Sequence, residues 1–565
     1  MIHPSPYSHL GDLLLDSLIQ YKRETALVEQ SRDRDPTSLT YAEVHRTVRA
    51  VTARLAEAGI GPGDRVAIIM SNQSRWLMTA CAAFFRGAVM VPLDYKLDAS
   101  DQAALLAHSE PRLLVTEWGF LKRFAERPDI PTWVVEAPAR AELGAAQRWD
   151  DLPADAPAIT VQPRERDDLA TIVYSSGTGG TPKGCMLPHR AYLSQLGALL
   201  GEFTMERGDR YFSILPTNHA IDFMVGFIGP FSCGATVVHQ RSLRPEYLRH
   251  TLKTQGITHM AVVPMLLDAF KRSIDEKLDA LSPLKRAAFD ALVATNRRLT
   301  LKQPNHALSK RLLRPIHEAF GSTLKLLFAG GAFVEPATVR FFYDLGLPVV
   351  VGYGLTEACT VLTVNRLTPF RADSVGRTVD GVQLRIVDRD PQGIGEVEVR
   401  GPTVMLGYLD DAEQTEAAFT DDGWLRTGDR GRLDASQHLH LLGRSKNMIV
   451  TAGGKNVYPE DIEQAFDGID VEEMCVVAAN YVWPSASMTD EQLIAVVRTE
   501  DEANALRALA GKNRRLPDYK RLSGVLLWQQ EFPRTASMKL KRAELATTLR
   551  IHASPEAVRT LSDIG

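Results

Sequence analysis

The chain has few cysteines, and none are spaced for a metal or a redox couple. Only Cys81, Cys185, Cys233, Cys359 and Cys475 occur in 565 residues, with no CxxC pair. That scatter argues against a disulfide framework or a zinc site and fits a reducing compartment. An excess of charge of either sign is also missing. Sixty-five Lys and Arg face 69 Asp and Glu, a formal net charge of −4. This balance excludes a strongly basic nucleic-acid binder by composition, though not a local basic patch. No apolar run approaches the roughly 18 residues of a membrane-spanning helix. The most apolar stretch, Met78 to Leu93, is broken by Arg86. The opening MIHPSPYSHLGDLLLD lacks a basic n-region and is interrupted by acids, so it reads poorly as a signal peptide and a cytoplasmic location is expected. No repeat at a solenoid period is visible.

What is present is an ordinary globular composition, 45% hydrophobic and 24% charged, long enough for about three or four domain-sized units. RVAIIM, VMVPL, RLLVTEW, LATIVYSS, ATVVHQ, HMAVVPML, LKLLFAGG and PVVVGYG read as strands, with helical patterns between many of them. This alternation predicts α/β architecture, a large N-terminal domain of doubly wound layers. From about residue 375 the strands VQLRIVD, GEVEVRG and HLHLLGR are short and separated by Gly, Asp and Pro, as in a small β-rich subdomain. After Gly443, EMCVVAA, QLIAVVRT and GVLLWQQ alternate with helices, giving a small α+β C-terminal unit. One segment is locally basic: Lys277 to Arg314 carries nine Lys or Arg against two acids. A solvated helix pair is the plain reading; contact with a membrane surface or an acidic partner is the other.

The most informative segment is TIVYSSGTGGTPKGCMLPHR, residues 171–190. A strand ends in two serines, and glycines, threonines and a lysine follow at once. Such a loop offers backbone N–H groups, hydroxyls and a cation in a small space, and its glycines permit close approach to an anion. It suits a polyphosphate; a purely structural Gly/Ser turn is the plain alternative. It is not a Walker A loop, because Lys183 is preceded by Pro182 and followed by Gly184, and no GK[ST] occurs in the chain.

SSGTGGTPKG resembles the signature loop of the acyl-adenylate-forming superfamily, which includes acyl-CoA synthetases, carrier-protein loading domains and luciferases. Other motifs of that family follow in order: GYGLTEA (352–358), GWLRTGDRG (423–431), GRSKNMIVTAGGKNVYPEDIE (443–463) and PRTASMKLKR (533–542). The resemblance implies a domain of residues 1–445, with its β-rich subdomain at about 375–445, and a mobile C-terminal lid of residues 446–565. It implies two steps. A carboxylate attacks the α-phosphate of Mg·ATP and expels pyrophosphate; the thiol of CoA then attacks the acyl-adenylate and expels AMP.

The roles follow residue by residue as what the resemblance implies. Ser175, Ser176, Gly177, Thr178, Gly179, Gly180, Thr181 and Lys183 hold the β- and γ-phosphates. Thr356 donates to the α-phosphate and Glu357 binds Mg²⁺. Asp429 accepts from the ribose hydroxyls, and Arg444 adds a ribose or phosphate contact. Gly330, Gly331 and Ala332 line the adenine and acyl pockets, with Tyr353 and Gly354 beside the adenine. Lys539 sits between the acid carboxylate and the α-phosphate, where neutralising developing charge is worth roughly 3–4 kcal/mol. Met538 stands where the family usually has Gly, while Lys541 and Arg542 are expected to keep the local charge basic. Lys446 matches the hinge, and Gly453 and Lys455 lie in the loop that lines the pantetheine tunnel. His219, in LPTNHAIDF, matches the residue that orients the acyl carboxylate. Asp222 takes the place of a Gly and has no assigned role.

Loading domains for amino acids carry an Asp at the position matched by Ile221, so an apolar acid is expected, with Phe223, Met224, Val225 and Phe227 as pocket walls. The stretch from KLDALSPLKR to GYGLTE looks most like long-chain fatty acyl-CoA synthetases. The expectation is therefore an ATP-dependent ligase joining a medium- or long-chain fatty acid to CoA. Loading of an acyl carrier protein, a luciferase-type oxygenase and a weakly active adenylate-binding regulatory protein are the alternatives. Oligomeric state is not legible.

Overall fold

The computed structural model describes residues 1–30, 35–175, 183–331, 333–444, 449–450, 456–483, 492–535, 538 and 540–561. The chain divides into two compact units. One comprises Met1–Gln383 with Val399–Leu425, and the other Leu384–Glu398 with Arg426–Gly565.

The first unit is built on two large sheets. In the nine-stranded sheet, Val349–Tyr353, Leu326–Ala329, His259–Val262, Arg210–Ser213, Thr236–His239 and Thr25–Glu29 run side by side in parallel. In the eight-stranded sheet the parallel core is Leu169–Ser175, Val89–Pro92, Arg65–Ile69, Leu113–Glu117, Thr132–Val135 and Gln147–Arg148. Strands such as Val89–Pro92 and Leu113–Glu117 are buried along their whole length. That is why they read as continuous apolar runs rather than alternating ones. The helix Ser74–Phe85 is buried at every residue but Arg75 and touches Thr25–Glu29 of one sheet and Val89–Pro92 of the other. A helix apolar all round belongs in an inner layer, so the run from Met78 to Leu93 is an inner helix followed by a central strand. The doubly wound α/β expectation holds.

HMAVVPML, expected as one strand, divides. His259–Val262 is strand, and Pro264 opens the helix Pro264–Asp279 at its first position. Proline there loses no intrahelical hydrogen bond and its fixed φ suits the first turn. All five cysteines are buried free thiols.

The second unit holds most of a four-stranded sheet ordered Gln383–Val387, Gly395–Arg400, Leu425–Leu433, Leu439–Arg444. It also holds a sheet ordered Glu473–Ala478, Leu493–Arg498, Gly524–Leu527, Arg559–Thr560. Helices Pro459–Ala465, Glu502–Asn513 and Arg542–His552 accompany them. Val476, Ala495, Val497, Leu509 and Val525 form one apolar cluster there; Cys475, Val477, Leu526, Leu545 and Leu549 form another.

Candidate active site

In the first unit, the glycine-rich segment joins two antiparallel strands, Leu169–Ser175 and Lys183–Pro188, with Ser175 opposite Lys183. Ser176, Gly177, Thr178, Gly179, Gly180 and Thr181 lie outside the described residues. The loop's two anchors are therefore side by side at the hairpin mouth. The turn Thr356–Ala358 packs against both strands, so the structure brings Ser175, Lys183, Thr356 and Glu357 into one neighbourhood.

Two residues that the motifs did not reveal link this group. Lys183 Nζ donates to Gln414 Oε1 at 2.6 Å and lies 4.9 Å from the Tyr408 ring centroid. The Tyr408 hydroxyl donates to Glu357 Oε1 at 3.1 Å. Burial and the adjacent Glu357 carboxylate push the Tyr408 phenol well above its ordinary pKa, so it remains a donor. Tyr408 pairs with Cys185 on the neighbouring strand, which fixes it beside Lys183. Gln414 sits in the first turn of Ala412–Ala418, where its N–H caps on Asp411 Oδ1 at 3.0 Å. That Asp-to-N3 spacing in DAEQ is a helix-start signal, and it would have placed Gln414 on a rigid element.

Glycines let the backbone close around this corner. Gly330 follows the strand Leu326–Ala329, and a Cβ there would meet Gly352 O at 2.8 Å. At Gly354, just after the strand Val349–Tyr353, a Cβ would stand 1.8 Å from Thr360 O. Gly331 has φ +81° and Tyr353 is half-buried at its strand end. These positions lie outside the carboxyl ends of parallel strands, the usual ligand crevice of an open α/β sheet. Ala332 lies outside the described residues. Glu357 is fixed through its carbonyl, which accepts from Met405 N at 2.9 Å. With Oε1 taken by Tyr408, its second carboxylate oxygen has no described protein partner. One open carboxylate suits Mg²⁺, which is typically held by one or two carboxylates with phosphate oxygens and water. No cluster of three or more His, Cys, Asp or Glu occurs among the described residues, so an all-protein cage is absent there.

His219 is half-buried and precedes the short helix Ala220–Phe223. Its segment is ordered by Asp222, which is fully buried and accepts from the hydroxyls of Tyr211 at 3.0 Å, Ser213 at 2.9 Å and Thr217 at 3.0 Å. Burial, partly offset by those bonds, pushes the Asp222 carboxyl up to about 6. Asp222 is therefore a clamp for the loop that carries His219. A side chain at Gly226 would collide with it, a Cβ lying 2.5 Å from Asp222 Oδ1.

The expected pocket walls need correction. Phe223 packs edge-on against Trp76, Tyr192 and Phe227, and Phe227 against Phe231. Phe223, Met224 and Phe227 are core residues, at most 2% exposed. The half-buried positions are Ile221 and Val225, one helical turn apart.

In the second unit, Asp429 lies inside the strand Leu425–Leu433. It is buried and directly opposite Arg444, whose Nε meets Asp429 Oδ1 at 2.9 Å. Lys446, Gly453, Lys455 and Lys539 lie outside the described residues. Described residues on either side of Lys539 have named partners. Arg534 is paired with Glu473 at 2.7 Å and donates to Met538 O at 3.0 Å. Arg542 meets Glu463 at 2.6 Å and Val476 O at 2.9 Å. Lys541 pairs with Glu544 at 2.9 Å. Lys541 and Arg542, expected to keep the local charge basic, are both engaged with carboxylates. Met538 has φ +64°, the left-handed region where Gly is the usual residue.

Comparison with known proteins decides the family. The description "AMP-binding enzyme" matches residues 16–409. The chain belongs to the AMP-binding enzyme family. It is 31% identical over 468 residues to a 3-[(3aS,4S,7aS)-7a-methyl-1,5-dioxo-octahydro-1H-inden-4-yl]propanoyl:CoA ligase of Rhodococcus jostii, covering 78% of this chain and 81% of that protein. A long-chain-fatty-acid–CoA ligase of Mycobacterium bovis is 30% identical over 456 residues, covering 76% of this chain and 73% of that protein. Among solved structures, an anthranilate CoA ligase in complex with anthranoyl-AMP shares the fold with a TM-score of 0.76 at 21% identity, covering 97% of this chain and 98% of that one. At the level these relatives share, this AMP-binding enzyme is an acyl-adenylate-forming acid–CoA ligase.

Proposed function

We propose that the protein activates a medium- or long-chain fatty acid with ATP and transfers the acyl group to CoA. In the first step a carboxylate oxygen of the acid forms a bond to the α-phosphorus and pyrophosphate leaves. In the second, the CoA sulfur bonds to the acyl carbon, AMP leaves and the thiol proton goes to solvent.

The observation that carries this reading is the linked edge Lys183–Tyr408–Glu357 at the mouth of the glycine-rich hairpin. Lys183 is held by the neutral groups of Gln414 and Tyr408, so its charge remains available to a polyphosphate. Glu357 would hold Mg²⁺, which when bound neutralises phosphate charge. Phosphoryl chemistry of this type relies on positioning and charge stabilisation more than on a covalent catalyst. Ser175, the hydroxyls and N–H groups of 176–181, and Thr356 would complete the phosphate cradle, with Asp429 and Arg444 at the ribose. Gly330 to Ala332, Tyr353 and Gly354 would border the adenine and acyl pockets. Lys539 would neutralise charge between the acid and the α-phosphate. The C-terminal segment from about 446 would then turn at Lys446 to bring Gly453 and Lys455 to the pantetheine arm.

For the acid, the half-buried Ile221 and Val225 supply apolar surface near His219, and Ile221 offers no partner to a substrate ammonium. The reported relatives act on different acids, one a long-chain fatty acid, which supports an apolar substrate class. The test is pyrophosphate release across an acid panel, with CoA or a pantetheinylated carrier protein as acceptor. Octanoate through palmitate with CoA should give the highest rates. An α-amino acid or an aromatic acid outrunning them would overturn the acid, and preference for the carrier would overturn the acceptor.

A further inference from the structure

The helix Pro283–Thr300 is attached to the first unit by one narrow face. Phe289 and Val293 pack against the core, and Asn296 donates to Asp344 O at 2.9 Å while accepting from the Ser309 hydroxyl at 2.8 Å. Of its 18 residues only Asn296 and Thr300 are buried. Its outer face is apolar. Leu284, Ala288, Ala291, Leu292 and Leu299 recur at helical spacing and are all exposed, Leu284 by 82% and Leu299 by 59%. Leu301, just beyond the helix, is 44% exposed.

Charge borders this stripe asymmetrically. Lys285, Arg298 and Lys302 lie along it, exposed and without an ion-pair partner among the described residues. The acids lie elsewhere: Asp290 is 3.2 Å and Asp279 2.9 Å from Arg286, on the flank away from the stripe. A single helix whose leucines project outward, bordered by basic side chains and free of acids, has the design of an interfacial helix. Its apolar face enters the acyl boundary while long basic side chains reach the headgroups.

We propose that the Pro283–Thr300 helix docks the protein on an anionic lipid bilayer surface. Charge complementarity selects this occupant. A second copy of the chain would set Lys285, Arg298 and Lys302 against their own like charges. The inference rests on this surface alone and stands whichever acid the enzyme uses.

The experiment is flotation of the full-length protein with vesicles of phosphatidylcholine alone or mixed with phosphatidylglycerol. The wild type should float with the mixed vesicles and much less with phosphatidylcholine. Replacing the three charges (Lys285→Gln, Arg298→Gln, Lys302→Gln) should lower partitioning to mixed vesicles on the order of 100-fold, at about 1 kcal/mol per basic residue near an anionic surface. Leu284→Ser with Leu299→Ser should abolish flotation. Both variants should melt like the wild type and release pyrophosphate at its rate with a short, water-soluble acid. Absence of wild-type binding to mixed vesicles, or binding that the leucine variant retains, overturns the proposal. So does a dimer that the leucine variant disperses, or an acidic protein bound in place of lipid.

Discussion

The two units hold their proposed site residues by different means. In the first, Lys183 is held by the Gln414 carbonyl oxygen and the Tyr408 ring, and Glu357 by a phenol hydroxyl. In the second, Asp429 is matched with Arg444, and the flanks of Lys539 with Glu473 and Glu463. Neutral partners leave a charge free to act on a ligand, while ion pairs commit charge to shape. The first unit thus leaves the Lys183 charge open to a ligand, while the second commits the described residues on either side of Lys539 to ion pairs.

The largest expected effect breaks the second arrangement. Arg542→Ala leaves the half-buried Glu463 carboxylate without its ion-pair partner, and should destabilise the second unit by about 3 kcal/mol in thermal or denaturant melts. Lys541→Ala removes only an exposed i,i+3 pair and should cost under about 0.5 kcal/mol. Equal effects would show that the Arg542 network is incidental.

Next in size is Lys539→Ala, expected to lower acyl-AMP formation by about 100- to 1000-fold while supplied acyl-AMP is still converted to acyl-CoA. Gly453→Trp should do the reverse, forming acyl-AMP and transferring it poorly. Loss of both steps equally in each folded variant would remove the alternating role proposed for the C-terminal segment.

A smaller effect concerns the buried carboxylate of the first unit. Asp222 has its pKa raised from 3.8 to about 6. Between these values the folded state binds more protons than the unfolded one. Its contribution therefore favours folding at low pH and declines as pH rises from about 4 to 6, then stays level. The difference in stability between wild type and Asp222→Asn should fall across that window and be flat above it. A difference independent of pH would mean that the site does not titrate.

The strands were legible because parallel strands covered on both faces are apolar at every position, and the motif glycines because Gly330 and Gly354 have no room for a Cβ. Other features were hidden for physical reasons. RTGDRGRL carries no apolar alternation, so the sequence pattern did not place Asp429 within a strand. Phe223 and Phe227 have the composition of pocket walls, and only burial separates them from Ile221 and Val225. Tyr408 and Gln414 are distant in sequence from every phosphate motif and meet Lys183 only through strand pairing and a helix cap.

The smallest predicted effect is at Met538, whose φ of +64° costs a non-glycine residue about 1 kcal/mol. Met538→Gly should change second-unit stability by less than about 1 kcal/mol, because relieved strain is offset by the greater entropy of an unfolded glycine. Met538→Val, β-branched, should be the least stable of the three. A valine variant as stable as glycine would show that the left-handed conformation is not held in solution.

If the Lys183–Tyr408–Glu357 edge serves adenylation, Glu357 is where that step fails first. Hydroxylamine trapping of acyl-AMP from palmitate and ATP, without CoA, in wild type and Glu357→Gln reads this step alone. The wild type should form hydroxamate readily, and Glu357→Gln should lose about 100-fold or more while melting normally without ligand and gaining no stabilisation from Mg·ATP. Hydroxamate formation and Mg·ATP stabilisation both unchanged in Glu357→Gln would contradict that role of the edge.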